Sequence, residues 1–540
     1  MKTKINPRVA ATIRLSVAGA MLLLAACGGR AADPTVVTVE GGTLQGASAD
    51  GVLSYKGIPY AAPPVGNLRW RPPQAVAAWS GIRPASAFGK DCMQSPSPYD
   101  PQAVTSAPSE DCLVLNVWRP ASGAPARDSL PVMVYIHGGG YTGGAGSSSW
   151  NEGSQFAKQG VVLVTINYRL GRFGFFAHPA LSAEQPNELQ GNYGYMDQIA
   201  ALQWVQRNIA AFGGNPANVT VFGESAGGES VHSLITTPLA KGLFQKAIVQ
   251  SGNGRENQVY RLYLKRNVKG IGLSAEEIGV AFAQSQGITD TGASGLAALR
   301  ALPADKVLAN ANLGSTYAGG PMIEGKMVVD EPAVQYAKGE FNPVALMIGS
   351  NDLDLDLGFP GQVTTKDEAY AIFGPQNLAA ARAAFDPLGT ASFNAVRSQM
   401  GIVQLMHEPA RYAASKVAAK GLPAYVYRFS YVAQSIRDKV SGAFHAAEIP
   451  YVFSTLPAAY GTAVASQDQA VAQLMTAYWA DFAKTGNPNG GGRPYWPAYS
   501  AAKSSLIEFT AAGTATALEP DPIKAQLDLV QAYMDQNAAQ

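Results

Sequence analysis

The chain has 540 residues, 47% of them apolar and only 15% charged, enough apolar material for a large buried core. Its 40 Lys and Arg against 39 Asp and Glu leave a formal charge of +1. With no long basic run either, the balance speaks against nucleic-acid binding.

Lys2, Lys4, Arg8 and Arg14 precede an apolar stretch from Leu15 to Ala26. About 12 residues is shorter than the ~20 that a membrane-spanning helix needs, so residues 1–26 read as a signal peptide. The stretch ends in Leu24-Ala25-Ala26-Cys27, which resembles a bacterial lipobox. That predicts lipidation of Cys27, a tether over residues 27–36 and a place in the bacterial cell envelope, in the periplasm or at the outer membrane. An ordinary secretory signal, giving a secreted protein, is the alternative. Membrane contact is expected only through the lipid, and residues 37–540 are expected to form a single domain.

Val132-Met133-Val134-Tyr135-Ile136 reads as a buried parallel strand. It runs into His137-Gly138-Gly139-Gly140-Tyr141. Glycines at a strand end let backbone N–H groups approach a ligand closely. A helix follows over Tyr195 to Phe212, where Met196, Ile199, Leu202, Val205, Ile209 and Phe212 recur at helical spacing and Gly213 supplies the stop. Next comes Val219-Thr220-Val221-Phe222 and then Gly223-Glu224-Ser225-Ala226-Gly227. This G-x-S-x-G pattern presents a nucleophile on a sharp strand-to-helix turn, and the helix that follows aims its N-terminal amides at the serine oxygen.

Ala247-Ile248-Val249-Gln250-Ser251-Gly252 is a further strand. Between Arg255 and Lys269 stand Arg255, Arg261, Lys265, Arg266 and Lys269 against the single anion Glu256. The segment reads either as an amphipathic helix with a solvated basic face or as a mouth attracting anionic substrates, with Arg255, Arg261 and Tyr141 at its rim. Ala345-Leu346-Met347-Ile348-Gly349-Ser350-Asn351 is a later strand, followed by Asp352, Asp354 and Asp356. Of the five histidines, His137 belongs to the glycine loop, and His232 lies two turns along the helix from Ser225. His178 and His407 stand in no supporting motif. His445, in Phe444-His445-Ala446-Ala447-Glu448-Ile449-Pro450, completes the order Ser, acid, His of the α/β-hydrolases. Strands alternating with helices predict an α/β chain with a large, mostly parallel central sheet and helices on both faces.

Together these motifs resemble the type-B carboxylesterases, the family that includes cholinesterases and bacterial p-nitrobenzyl esterases. The likeness runs from about Val37 to the C-terminal region. Further blocks carry it: Tyr55-Lys56-Gly57-Ile58-Pro59-Tyr60, Glu110-Asp111-Cys112-Leu113, Asn192-Tyr193-Gly194, Phe212-Gly213-Gly214-Asn215-Pro216 and Lys484-Thr485-Gly486-Asn487-Pro488. The resemblance implies an α/β-hydrolase fold and a serine carboxylic-ester hydrolase working through an acyl-enzyme on a small-molecule ester. Ser225 would be the nucleophile and His445 the base, with Gly139, Gly140 and Ala226 donating the oxyanion-hole amides. The family's acid is a Glu in Gly-x-x-x-Asp-Glu-Gly. Counting from Gly349 puts Asp354 in its place, one methylene shorter, and Asp352 and Asp356 stay open as the acid because one inserted residue would shift the register. Glu229 also departs from the small residue usual there; it is either exposed or a negative charge near the site.

In an exported protein Cys92 and Cys112 are the remaining pair, and the resembling family closes a loop here with a disulfide at the gorge rim. No cofactor is expected and no metal-ligand spacing occurs. The basic segment makes polycarboxylate esters such as tricarballylate esters the expected substrates, as for the bacterial fumonisin esterases of this family, which would imply a detoxifying role. A general short-chain carboxylesterase or a lipase is the alternative within the class. A catalytically inactive cholinesterase-like binding module is the alternative outside it.

Overall fold

β-Branched, aromatic and other apolar runs build one dominant sheet. In chain order its strands are β1 (Ala47–Ala49), β2 (Val52–Pro59), β3 (Val114–Pro120), β4 (Leu130–Ile136), β5 (Val162–Ile166), β6 (Gly214–Glu224), β7 (Lys246–Gln250), β8 (Ala345–Asn351), β9 (Ala424–Phe429), β10 (Leu506–Phe509) and β11 (Ala515–Leu518). The computed structural model describes residues 33–95, 107–121, 129–184, 186–255, 262–267, 272–310, 320–359 and 361–538. The signal-like stretch to Ala26, Cys27 and Arg261 lie outside the described residues. The chain divides into two units, Met1–Pro34 and Thr35–Gln540, and every element named here belongs to the second.

The 11 strands lie in the spatial order β1-β2-β3-β5-β4-β6-β7-β8-β9-β10-β11. From β5 through β10 every neighbouring pair is parallel. The pairs at the two ends are antiparallel. A sheet covered on both faces needs apolar side chains of both parities, and β4 shows this directly. Val132, Val134 and Ile136 enter one core cluster, while Met133 and Tyr135 enter the other. The first face is covered by α1 (Tyr193–Asn208), α2 (Ala226–Thr236) and α3 (Glu408–Ala419), through Leu202, Val205, Val231, Leu234 and Val417. The second is covered by α4 (Ser466–Thr485), through Val471, Met475, Trp479 and Phe482. Full burial of one such side chain contributes about 1.5–3 kcal/mol, so these rows hold the layers together. The last helix, α5 (Lys524–Ala538), packs Leu527, Val530 and Met534 into a separate small cluster with Val396 and Met400.

The helix expected over 195–212 starts two residues earlier, at Tyr193. Its last turn, Ile209–Phe212, tightens to 3-10 geometry before Gly213 ends it at φ +81°. After β4 the chain goes to β5 on one side, and after β6 it goes to β7 on the other. The loops leaving β4 and β6 therefore diverge and open a crevice at the carboxyl ends of the strands, where open α/β sheets place their ligands. Those two loops carry His137–Tyr141 and Ser225.

Candidate active site

Ser225 forms the turn between β6 and α2 at φ +55°, ψ −125°. An L-residue held in such a region costs on the order of 1–3 kcal/mol and persists only where its surroundings determine it. Here the Ser225 amide donates to the Gln250 carbonyl at 2.9 Å, and its carbonyl accepts from the Glu229 amide at 2.9 Å. The turn is also too crowded for larger neighbours. A Cβ on Gly227 would stand 2.0 Å from the Ile136 carbonyl oxygen. A Cβ on Gly138 would meet the Ser225 Cβ at 3.0 Å, so the glycine loop lies directly against the serine.

The loop offers donors. The N–H groups of Gly139 and Gly140 take part in none of the backbone hydrogen bonds outside regular elements among the described residues. Ala226 is the first residue of α2 and has no intrahelical acceptor for its N–H. None of these three amides has a backbone acceptor within the helix or the loop.

His445 comes from the loop after β9. Its Nδ1 lies 2.5 Å from Asp354 Oδ1. Asp354 is buried and also accepts from Ser251 Oγ at 2.7 Å and from the Asn351 and Leu355 amides at 2.9 and 2.8 Å. Burial works against its charge, but His445 and these donors outweigh it and hold the carboxyl below its usual range. An ionised carboxylate has no proton to give, so Nδ1 is the donor and Nε2 is the nitrogen left to accept one. Nε2 makes no hydrogen bond in this structure.

The neighbouring aspartates do other work. Asp352 accepts the Ala443 amide at 2.7 Å, which ties down the loop that carries His445. Asp356 accepts the Gly358 amide at 2.7 Å. One methylene is recovered because the acid and histidine loops pair directly: Leu353 N donates to Ala443 O at 3.1 Å, and Leu353 bridges Phe444. The shorter side chain at 354 therefore still reaches the imidazole.

Two acidic residues of the site, Glu224 and Glu448, carry roles that their sequence positions did not announce. Glu224 Oε1 lies 3.2 Å from His445 Nε2, and Glu224 is buried. Burial opposes protonation of His445, but Glu224 and Asp354 outweigh it and push the imidazole up to about 10. Adjacency to the motif serine was the available signal for Glu224. Glu448, three residues past His445, accepts from Gln250 Nε2 at 3.0 Å and from Asn351 Nδ2 at 2.7 Å. Trp479 Nε1 in turn donates to Gln250 Oε1 at 3.1 Å, so the carboxyl ends of β7 and β8 and the loop after β9 share one buried network. Glu229 resolves toward the site: burial raises its carboxyl to about 7, against the opposing pull of Tyr141 and of the charge on His445.

Two expected rim residues are corrected. Arg255 is buried, with its guanidinium bound by Glu408 and Asp535 and stacked 4.0 Å from the Tyr412 ring. Two carboxylates neutralise its charge and the side chain is buried, so it is not part of a basic rim. Tyr141 is buried in the wall beside Phe175 and Tyr195, not at a mouth. Residues 262–267 form no helix; Lys265 and Arg266 there are exposed. Cys92 and Cys112 form the expected disulfide.

Comparison with known proteins places the chain in one family. The model of the carboxylesterase family matches residues 33–374 and 391–526. The fumonisin B1 esterase of Sphingopyxis macrogoltabida is 33% identical over 507 residues, covering 91% of this chain and 90% of that protein. The para-nitrobenzyl esterase of Bacillus subtilis (strain 168) is 36% identical over 486 residues, covering 86% and 92%. Among solved structures, a PNB esterase superposes with a TM-score of 0.74 at 33% identity, covering 92% of this chain and 100% of its own. The Geobacillus stearothermophilus carboxylesterase EST55 does so with a TM-score of 0.73 at 34% identity, covering 92% and 100%.

Proposed function

The chain belongs to the carboxylesterase family and is a carboxylic-ester hydrolase, and from that premise we propose that Ser225, His445 and Asp354 are its catalytic triad. The contact of 2.5 Å between His445 Nδ1 and Asp354 Oδ1, beside a serine held at φ +55°, carries the reading. Ser225 Oγ attacks the ester carbonyl carbon while His445 Nε2 takes its proton. Asp354 holds the tautomer and stabilises the imidazolium. The amides of Gly139, Gly140 and Ala226 receive the oxyanion, where one lost donor typically costs ~10²–10³ in rate. His445 returns the proton to the leaving alcohol, and the acyl group stays on Ser225. Water then attacks the acyl-enzyme with His445 as base, which regenerates the serine. Ser225→Ala and His445→Ala should each abolish turnover of p-nitrophenyl acetate in folded protein. Appreciable turnover in either variant would overturn the assignment.

For the substrate we propose an ester bearing free carboxylates. The support is the likeness to the fumonisin B1 esterase over 91% of the chain, together with the exposed cation Arg266; Lys265, also exposed, pairs with Glu276 at 3.6 Å. Arg255 is no part of that support. Exposed cations concentrate anions at a distance, and the effect fades as the Debye length falls from about 10 Å at 0.1 M salt to about 3 Å at 1 M. Esters with a free carboxylate should then show higher kcat/KM than neutral esters of equal size, with a preference that shrinks in high salt. Equal, salt-independent values would leave a general short-chain esterase. We also propose that the protein is exported and lipidated at Cys27, a reading supported by the lipobox-like sequence and by the Cys92–Cys112 disulfide, which suits an oxidising compartment. A mature N-terminus beyond Cys27 without lipid would overturn it.

A further inference from the structure

The direction of a backbone amide is set by what holds the other side of its peptide. A peptide unit is planar and trans, so its carbonyl oxygen and its N–H point opposite ways. The Gly140 N–H shares a plane with Gly139 O, and the Gly139 N–H shares one with Gly138 O. Gly139 O accepts from the Thr142 and Gly143 amides, both at 3.0 Å. A Cβ on Gly144, which stands at φ +97°, would lie 2.6 Å from Gly138 O, so the backbone there packs directly against that oxygen. Both planes therefore rest on Gly143 and Gly144. A side chain from another part of the chain holds Gly144 in turn. Gln94 Oε1 accepts the Gly144 amide at 2.9 Å, and Gln94 Nε2 donates to Gly144 O at 2.9 Å. The side-chain amide thus pairs with both main-chain groups of Gly144, as a neighbouring strand would. Gln94 Nε2 also donates to Cys92 O at 3.1 Å. Cys92 is fixed by its disulfide to Cys112 and by its bridge to Ser109. Gln94 is buried. One acceptor and two donors at this length are what a glutamine amide supplies, whereas an ionised glutamate only accepts and a lysine or arginine only donates.

We propose that Gln94 is a positioning residue: its clamp on Gly144 fixes the carbonyl side of the two peptides whose N–H groups, on Gly139 and Gly140, receive the oxyanion. The inference rests on the proposed roles of Ser225 and of these amides. It assigns to Gln94 no contact with substrate. It also gives the disulfide loop a part in catalysis, because the clamp is rooted on Cys92. A small misaim of oxyanion donors is costly, since a displacement of about 1 Å near the chemistry can lose about 10²-fold in rate.

The test compares Gln94→Met, which keeps the length of the side chain and loses all three hydrogen bonds, with Gln94→Glu. Arg255→Met, which breaks the ion pairs to Glu408 and Asp535 instead, controls for lost stability. Two quantities are read: kcat and KM on p-nitrophenyl acetate, and the affinity of a trifluoromethyl ketone, whose adduct oxygen occupies the oxyanion position. At about pH 8, Q94M should lower kcat by about 10- to 100-fold, with KM nearly unchanged, and weaken ketone binding by the same factor. Q94E should be comparably damaged there, because an ionised carboxylate accepts the Gly144 amide but has no proton for Gly144 O. Burial against two carbonyl oxygens disfavours that charge and raises the carboxyl above its ordinary pKa of ~4.3. Below the raised value the protonated carboxyl both accepts and donates, and it restores the pair with Gly144. The ketone affinity of Q94E relative to wild type at the same pH should therefore recover to within about threefold by about pH 5, while that of Q94M stays low throughout. Should Q94M fail to fold, this recovery carries the test alone. Undiminished ketone affinity in Q94M, an equal loss in Arg255→Met, or a deficit in Q94E that does not change with pH would each overturn the inference. A ketone adduct on a residue other than Ser225 would overturn the nucleophile assignment, and that outcome is separable from the others because it shows in the wild type.

Discussion

Glu224 Oε1 stands 3.2 Å from Nε2 of His445, the nitrogen proposed to take the serine proton, while Asp354 holds Nδ1 on the other side of the ring. The imidazole therefore lies between two carboxylates, and its pKa is raised although burial alone would lower it. A raised pKa means that the neutral, competent base appears only at higher pH. Activity should be lost as pH falls through that value. Glu224→Gln removes one of the two charges that favour the imidazolium. The acidic limb of the kcat/KM profile should then move to lower pH, by about 1 in pH for a single close charge. A limb that does not move would show that Glu224 does not set the protonation of His445.

Asp354, not its neighbours, orients the histidine. Asp354→Asn should lower kcat by ~10³–10⁴, as loss of the orienting carboxylate does in other triads. Asp352→Asn and Asp356→Asn leave His445 Nδ1 its acceptor, and their kcat should stay within about tenfold of wild type. Asp352→Asn should act mainly on stability, because its carboxylate accepts the Ala443 amide. Steady-state kinetics on the three variants would place the acid elsewhere if Asp352→Asn or Asp356→Asn were the crippling change.

The site was legible in the sequence wherever chemistry and backbone geometry impose a local pattern. Ser225 needs small neighbours, and the glycine loop must approach it, so both left motifs at fixed spacing. The register of the acid could be counted from Gly349, but whether an aspartate reaches His445 depends on the pairing of Leu353 with Phe444, which no local pattern records. Glu224 was visible within its motif, yet its side chain acquires a role only because a loop more than 200 residues later brings His445 to it. Arg255 was misread for the same reason. Its partners Glu408 and Asp535 lie 153 and 280 residues away, so a cluster of cations looked free when its first member was already neutralised.

Arg255 accordingly supplies structure. Arg255→Met would leave Glu408 buried with its counter-charge gone and detach the link to Asp535 on α5. Removing one partner of a buried pair costs about 3–5 kcal/mol. Urea unfolding should show a loss of that order, while the ratio of kcat/KM for carboxylate-bearing and neutral esters stays at the wild-type value. A fall in that ratio at unchanged stability would restore Arg255 to the substrate path.

The disulfide closes a loop with a sequence separation of 20. In the chain-entropy treatment such a crosslink contributes about 3 kcal/mol by restricting the unfolded chain. Cys92→Ser/Cys112→Ser should lower unfolding stability by that amount. Urea denaturation of the double variant, with the oxidised wild type alongside, measures it, and equal midpoints would mean that the bridge adds no net stability.

The most direct test of the account is the mass of the protein after reaction with a fluorophosphonate. Attack by one activated serine predicts a single adduct per chain, located by peptide mapping on the segment containing Ser225, with ester hydrolysis falling in proportion to labelling. Ser225→Ala should take up no label. An adduct on any other residue, or full ester hydrolysis in a chain already labelled at Ser225, would contradict it.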